Sequence, residues 1–147
     1  MLESKLYGRV RPKLDLWGEV HRIENSINPG CPDVYYSAEG QANWIETKII
    51  KLREGFNCLW FEKFQIPWMR RFFKTGFANI WVLGGYDDDR GTMIVYHCKE
   101  IINAPTHPYK KWVLVRLVDI NAVFEMRKPY DWNILRTLLT TQYTINK

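Results

Sequence analysis

The 147-residue chain has only three cysteines and three histidines, and neither residue type is arranged for its usual specialised roles. Cys31, Cys58 and Cys98 form no Cys-x-x-Cys pair, and their odd number argues against a disulfide framework, so a reducing cytosol is expected. His21, His97 and His107 have neither the short helical spacing nor the cysteine partners of a zinc site. The adjacent His97 and Cys98 are expected to be packing residues on opposite faces of a strand. No apolar segment approaches the ~20 residues of a membrane helix and no signal-peptide pattern opens the chain, so a soluble cytoplasmic protein is expected. Internal repeats, low-complexity runs and linkers are also missing. The length fits one domain over residues 1–147, with a core to about residue 100 and a C-terminal extension over 101–147.

What is present is apolar and aromatic. A hydrophobic content of 46% with 15% aromatic residues excludes a disordered chain. The formal charge of +5 is compatible with a polyanionic partner but is too modest to require one.

The stretch GCPDVYYSAEGQANWIETKII, residues 30–50, reads as two strands around a glycine-bearing turn. Val34 and Tyr36 share one face, and Ile45, Thr47 and Ile49 form the matching face of the second arm. Glu46 and Lys48 then point the same way. A turn centred between Glu39 and Gly40 places Asp33 opposite Glu46, and paired like charges ~5 Å apart need compensation. Lys48 can supply part of it as a salt bridge. A divalent cation supplies more, because carboxylate oxygens suit Mg²⁺, which completes its shell with waters and substrate phosphate. That chemistry is phosphodiester hydrolysis.

Along the rest of the chain, Leu2, Leu6, Val10 and Leu14 recur at helical spacing, with Pro12 expected to keep this helix short. GEVHRIEN, residues 18–25, reads as a strand that joins the hairpin. A second helix is expected from about Glu62 to Thr75 along a stripe of Phe61, Phe64, Trp68 and Phe72, with Gly76 as its stop and Pro67 as an awkward member. NIWVLG, residues 79–84, reads as a buried strand. After it GYDDDRG reads as a turn, lacking the pattern of a calcium loop, before the strand TMIVYHCK. The order is α-β-β-β-α-β and then more strand.

The ordered segments RIENSINPGCPDVYY, WIETK and FQIPWMRRFFKTGFANIWVLGG resemble the stand-alone phage and bacterial members of the VRR-NUC branch of the PD-(D/E)XK nuclease superfamily, whose relatives include Holliday-junction resolvases. The resemblance spans roughly residues 1–85. It implies an α/β, restriction-endonuclease-like fold, a mixed sheet flanked by helices, here with extra C-terminal elements. It also implies endonucleolytic cleavage with Mg²⁺, for which Mn²⁺ substitutes. Asp33 and Glu46 match the metal-binding carboxylates, the Ile45 carbonyl matches a further ligand, and Lys48 matches the lysine that serves the attacking water or the developing phosphorane charge. Glu3 matches a first-helix glutamate and Gln65 a glutamine on the second helix. Glu24 is a rival for the extra acidic ligand, and Glu3 has the plainer alternative of favouring a helix N-terminus.

Lys48, Lys51 and Arg53 after the hairpin, and Arg70, Arg71 and Lys74 on the second helix, are candidate phosphate contacts, with a solvated helix face as their other explanation. The expected partner is DNA, branched or four-way if the chain is a phage resolvase. A restriction-type duplex endonuclease and a non-catalytic nucleic-acid-binding protein are the alternatives. Paired nicks on a two-fold junction need two sites, so a homodimer is expected, with Trp112, Phe124, Tyr130 and Trp132 as interface material.

Overall fold

The computed structural model describes residues 2–23, 30–88 and 90–141. Helix α1 (Glu3–Trp17) leads into three antiparallel neighbours, β1 (Glu19–Arg22), β2 (Val34–Ala38) and β3 (Gln41–Arg53). The hairpin register runs from Val34↔Ile45 to Ala38↔Gln41, as the turn position predicts. Glu39 (φ 50°) and Gly40 (φ 77°) both take positive φ, the shape of a tight two-residue hairpin turn.

A second Glu-Gly pair repeats the device. Glu54 (φ 52°) and Gly55 (φ 80°) turn β3 into β4 (Phe56–Glu62), a strand absent from the sequence expectation. Its apolar residues fall on both faces, and such a run does not separate strand from helix by periodicity. Phe61 therefore belongs to β4 and not to the second helix. That helix, α2, spans Gln65–Lys74. Pro67 is harmless there because the first helical turn has no intrahelical acceptors for its N–H groups. Gly76 (φ 94°) closes it, its N–H donating to the Phe73 carbonyl at 3.1 Å.

The first helix is not short: α1 runs 15 residues straight through Pro12. The proline forfeits the bond to the Gly8 carbonyl, but Leu6, Tyr7, Val10 and Leu14 are buried along one stripe and hold the helix to the sheet. Leu2 stands exposed before the helix and is not part of that stripe.

Beyond α2 come β5 (Ile80–Tyr86), β6 (Thr92–His97), α3 (Cys98–Ile102), β7 (His107–Tyr109), β8 (Trp112–Arg116), β9 (Phe124–Arg127) and α4 (Trp132–Thr140). The turn after β5 carries an Asp88–Arg90 ion pair at 2.6 Å, and Asp89 lies outside the described residues. Nine strands among the described residues form one mixed sheet in the order β7-β8-β4-β3-β5-β6-β9, with β2 also on β3 and β1 on β2. Only β3–β5 is parallel. α1 and α4 cover one face and α2 and α3 the other, each over its own apolar core.

Residues 107–127 thus extend both edges of the sheet. Phe124, Tyr130 and Trp132 are half-buried and pack against the core beneath α1 and α4, so the fold has a place for them that the sequence did not suggest; Trp112 belongs to neither core. β6 ends at His97 and Cys98 begins α3, so the two are not successive strand residues. Both are nonetheless packing residues: His97 Nδ1 accepts from the Lys99 N–H at 3.1 Å, and burial pushes the Cys98 thiol up to about 12. All three cysteines are free. No helix among the described residues is long and apolar enough to cross a membrane.

Candidate active site

β3 outruns its neighbours along one edge. It pairs with β2 as far as Ile45 and with β4 from Ile50 onward, so on that edge residues 46–49 have neither partner. On the other edge β5 follows it without a break from Trp44 to Ile50. The sheet therefore splits beside Glu46 and Lys48. Alternation sends Ile45 and Ile49 into the core under α1 and turns Glu46 and Lys48 the opposite way, each only 2% exposed. Buried charges of this kind require partners.

The partners are the residues expected from the sequence. Asp33 sits one residue before β2, and its backbone N–H donates to Glu46 Oε2 at 3.2 Å. Gln65, the first residue of α2, donates from Nε2 to Glu46 Oε1 at 3.0 Å, and its own Oε1 accepts from the Glu62 N–H at 2.7 Å. Lys48 Nζ lies 3.5 Å from Glu46 Oε1 and 3.6 Å from Glu3 Oε1, and 5.4 Å from the centre of the Phe61 ring. Glu3, Asp33, Glu46, Lys48 and Gln65 are thus assembled from α1, β3, α2 and the segment before β2. The Ile45 side chain is core, while its backbone stands at the lip of the split. Glu24 lies outside the described residues.

Gly30 brings the Asp33 segment to this position. Its φ is 89°, and a Cβ there would stand 2.0 Å from the Phe64 carbonyl oxygen, just before α2. Gly30→Ala is accordingly expected to lower stability by at least ~2 kcal/mol and to pull Asp33 away from Glu46. Gly8→Ala, at a helical position with nothing within 4 Å of the added Cβ, should stabilise by ~0.5–1 kcal/mol. Urea midpoints of the two variants check the contrast.

Burial pushes the Glu46 carboxyl up to about 8 despite the opposing Lys48 ammonium, and the charges of Asp33 and Glu3 add to the rise. Asp33 and Glu3 are raised as well, first by burial, with Lys48 holding both down. Glu62, at the end of β4, raises both through its charge. It was not singled out from the sequence, because a residue taken as the start of a helix has no strand face assigned to it. The Cys31 thiol is raised by burial and then by Glu46 and Asp33.

Among the described residues no three acidic, histidine or cysteine side chains converge into a ready-made cation cage. Mg²⁺ does not require one, since it is commonly held by one or two carboxylates together with waters and substrate phosphates. Asp33 and Glu46 beside the Ile45 backbone offer such a set. Glu3 and Glu46 share the Lys48 ammonium, which also holds Asp33 down, and the charges of Asp33 and Glu3 both raise Glu46, so a hard cation fits the electrostatic deficit.

The expected phosphate contacts divide. Lys48 is buried inside the site and is not a surface contact. Lys51 is exposed near the Trp60 ring, and the Arg53 guanidinium lies 3.9 Å from the centre of the Tyr109 ring. Arg70, Arg71 and Lys74 fall ~140°, ~240° and ~180° around α2 from Gln65, at ~100° per residue, so they are turned away from Glu46. Arg70 Nη2 instead donates to the Ile102 carbonyl of α3 at 3.3 Å. Arg22 is a basic neighbour missed from sequence: opposite Val34 in the β1–β2 register, it lowers the Asp33 carboxyl.

Solved structures place this architecture. The fold is shared with two nucleases. Hjc from Archaeoglobus fulgidus, a Holliday junction resolvase from an archaeal hyperthermophile, superposes with a TM-score of 0.50 at 15% identity over 80% of this chain and 88% of that one. D212, a nuclease from a fusselovirus, gives 0.54 at 14% identity over 94% and 89%. At these identities the likeness establishes the fold, a central mixed sheet flanked by helices. No protein-family model and no curated protein matches the sequence.

Proposed function

We propose that the protein is a metal-dependent endodeoxyribonuclease that hydrolyses phosphodiester bonds in branched DNA, a resolvase of the PD-(D/E)XK type. The observation that carries this is the convergence of Asp33, Glu46, Lys48 and Gln65 on the split in the sheet, with Glu46 wholly buried and hydrogen-bonded through both oxygens. The fold shared with a Holliday junction resolvase and a viral nuclease supports the same reading.

In this proposal Asp33 and Glu46, with the Ile45 carbonyl, would hold Mg²⁺, and Glu3 borders the set. When bound, the ion supplies Lewis acidity and lowers the pKa of water. Gln65 orients the carboxylate, fixing Glu46 Oε1 while the Glu62 N–H fixes Gln65 in turn. Lys48, held between Glu3 and Glu46, presents an ammonium to the phosphate oxygen on which negative charge grows.

The test is cleavage of a synthetic four-way junction against a linear duplex of mixed sequence, with Mg²⁺ and with EDTA. Mg²⁺-dependent cutting of the junction at a rate at least ~10-fold above the duplex is expected. Equal cutting of both would favour a general duplex endonuclease, and no cutting of either would remove the nuclease assignment.

A further inference from the structure

We propose that the exposed face of the sheet wing formed by β3, β4, β8 and β7 is a track for an unpaired DNA strand leading into the split. This names part of the substrate of the proposed nuclease and rests on that proposal for its direction of travel. The wing has two unlike faces. Leu59, Phe61 and Val115 point into the core beneath α2 and α3, so alternation turns Trp60 and Trp112 to the other side. There, among the described residues, α1 packs chiefly on β1 and β3 and α4 on β3, and on the outer strands Trp60, Tyr109 and Trp112 are half-buried while Lys51 and Lys111 are exposed.

That face carries rings and cations together. Trp60 contacts Tyr109 and Trp112 edge to face, with centroids 5.8 and 6.2 Å apart. Lys51 Nζ lies 5.6 Å from the centre of the Trp60 ring, Lys111 Nζ 5.1 Å from that of Trp112, and Arg53 3.9 Å from that of Tyr109. A groove of about 420 Å³ joins the rings to the site, since Trp60, Trp112 and Lys51 line it together with Glu3 and Arg22. A strand lying in it would reach Glu3, whose carboxylate is bonded to Lys48.

The occupant follows from the chemistry. Cations matched to phosphates and rings matched to base faces are the two components of single-strand binding, and a duplex keeps its base faces stacked inside. An acidic peptide would use the cations and leave the rings idle. A second copy of this chain, docked by two-fold symmetry, would set the same cations against one another.

Fluorescence anisotropy in EDTA, with labelled 12-nucleotide oligo-dT and a 12-base-pair duplex, tests the track separately from cleavage. Oligo-dT is expected to bind more tightly than the duplex. Trp60→Leu and Trp112→Leu should each weaken it about tenfold, the scale of one lost base stack. The surface variant Lys51→Glu/Lys111→Glu should lower the slope of log K against log salt by ~0.7 per lost phosphate contact. Arg127→Ala, on β9 at the opposite edge, should bind as wild type. Thermal melting confirms that each variant is folded, and the charge variant keeps the test valid if a tryptophan variant is not. Wild-type affinity for oligo-dT in the folded tryptophan variants and in the charge variant overturns the track. So does a dimer, seen by light scattering, that those substitutions dissociate without affecting oligo-dT binding. Tryptophan-dependent oligo-dT binding by a protein that cuts no DNA substrate supports the track and removes the nuclease assignment instead.

Discussion

Asp33→Asn, Glu46→Gln and Lys48→Ala are each expected to lower the single-turnover cleavage rate of a four-way junction at saturating Mg²⁺ by ~10²–10³-fold or more, while junction affinity should stay within about threefold. The split explains the separation of the two effects. All three residues sit at the break in the sheet, and Glu46 and Lys48, each 2% exposed, add little to the outer surface that captures DNA away from the scissile phosphate. Lys48→Ala has a second consequence. Its ammonium is the main force holding Glu46 towards the ionised form, so the variant should keep that carboxyl protonated to higher pH. Glu3 meets the cluster through its ion pair with Lys48 and otherwise through charge at a distance, so Glu3→Gln should cost less than any of the three. Near-full activity in Glu46→Gln would show that the carboxylate does not take part.

The metal-free protein should lose stability as pH rises from about 4.5 to about 8. Glu46 ionises near 4.5 when unfolded but only at about 8 when folded, so across that window the native state holds a proton that the unfolded chain has released. Asp33 and Glu3 are raised too and act in the same direction. The loss is on the order of a few kcal/mol, at ~1.4 kcal/mol per unit of pKa. Urea midpoints in EDTA at pH 5, 6.5 and 8 check it, and Glu46→Gln should flatten the profile. Mg²⁺ binding would release the proton, so its stabilising effect should be greatest at pH 8. A midpoint that climbs from pH 5 to pH 8 in EDTA would mean that Glu46 is not buried as a carboxyl.

The hairpin was legible because its information is local. Period-two alternation and a Glu-Gly turn fix the register, and the register brings Asp33 to Glu46 and puts Lys48 on the face of Glu46. Gln65 was legible only through the family resemblance, and the structure puts it at the head of α2, three residues after the expected start of that helix. The same Glu-Gly signal at residues 54–55 marks β4, but its two-sided apolar run has no single period, and only Phe61 of it entered the helical stripe. The first helix was cut short at Pro12 because one lost hydrogen bond is visible in a sequence and four buried side chains are not.

By itself the sequence determined the hairpin register, the face shared by Glu46 and Lys48, and a candidate set of carboxylates with one lysine. These follow from dihedral preferences and side-chain alternation, which act over a few residues. Tertiary structure alone decided that β2 and β4 part from β3 and open the split, that Gln65 bonds Glu46 while Glu3 pairs with Lys48, and that Arg70, Arg71 and Lys74 turn away. It also decided that Phe124, Tyr130 and Trp132 pack against a core while Trp60 and Trp112 line a groove. Those outcomes depend on which distant strands pair, as β4 with β8 and β6 with β9, and on which helix covers which face of the sheet. Pairings of that kind are selected by the burial of whole faces, and no local pattern of residues encodes them.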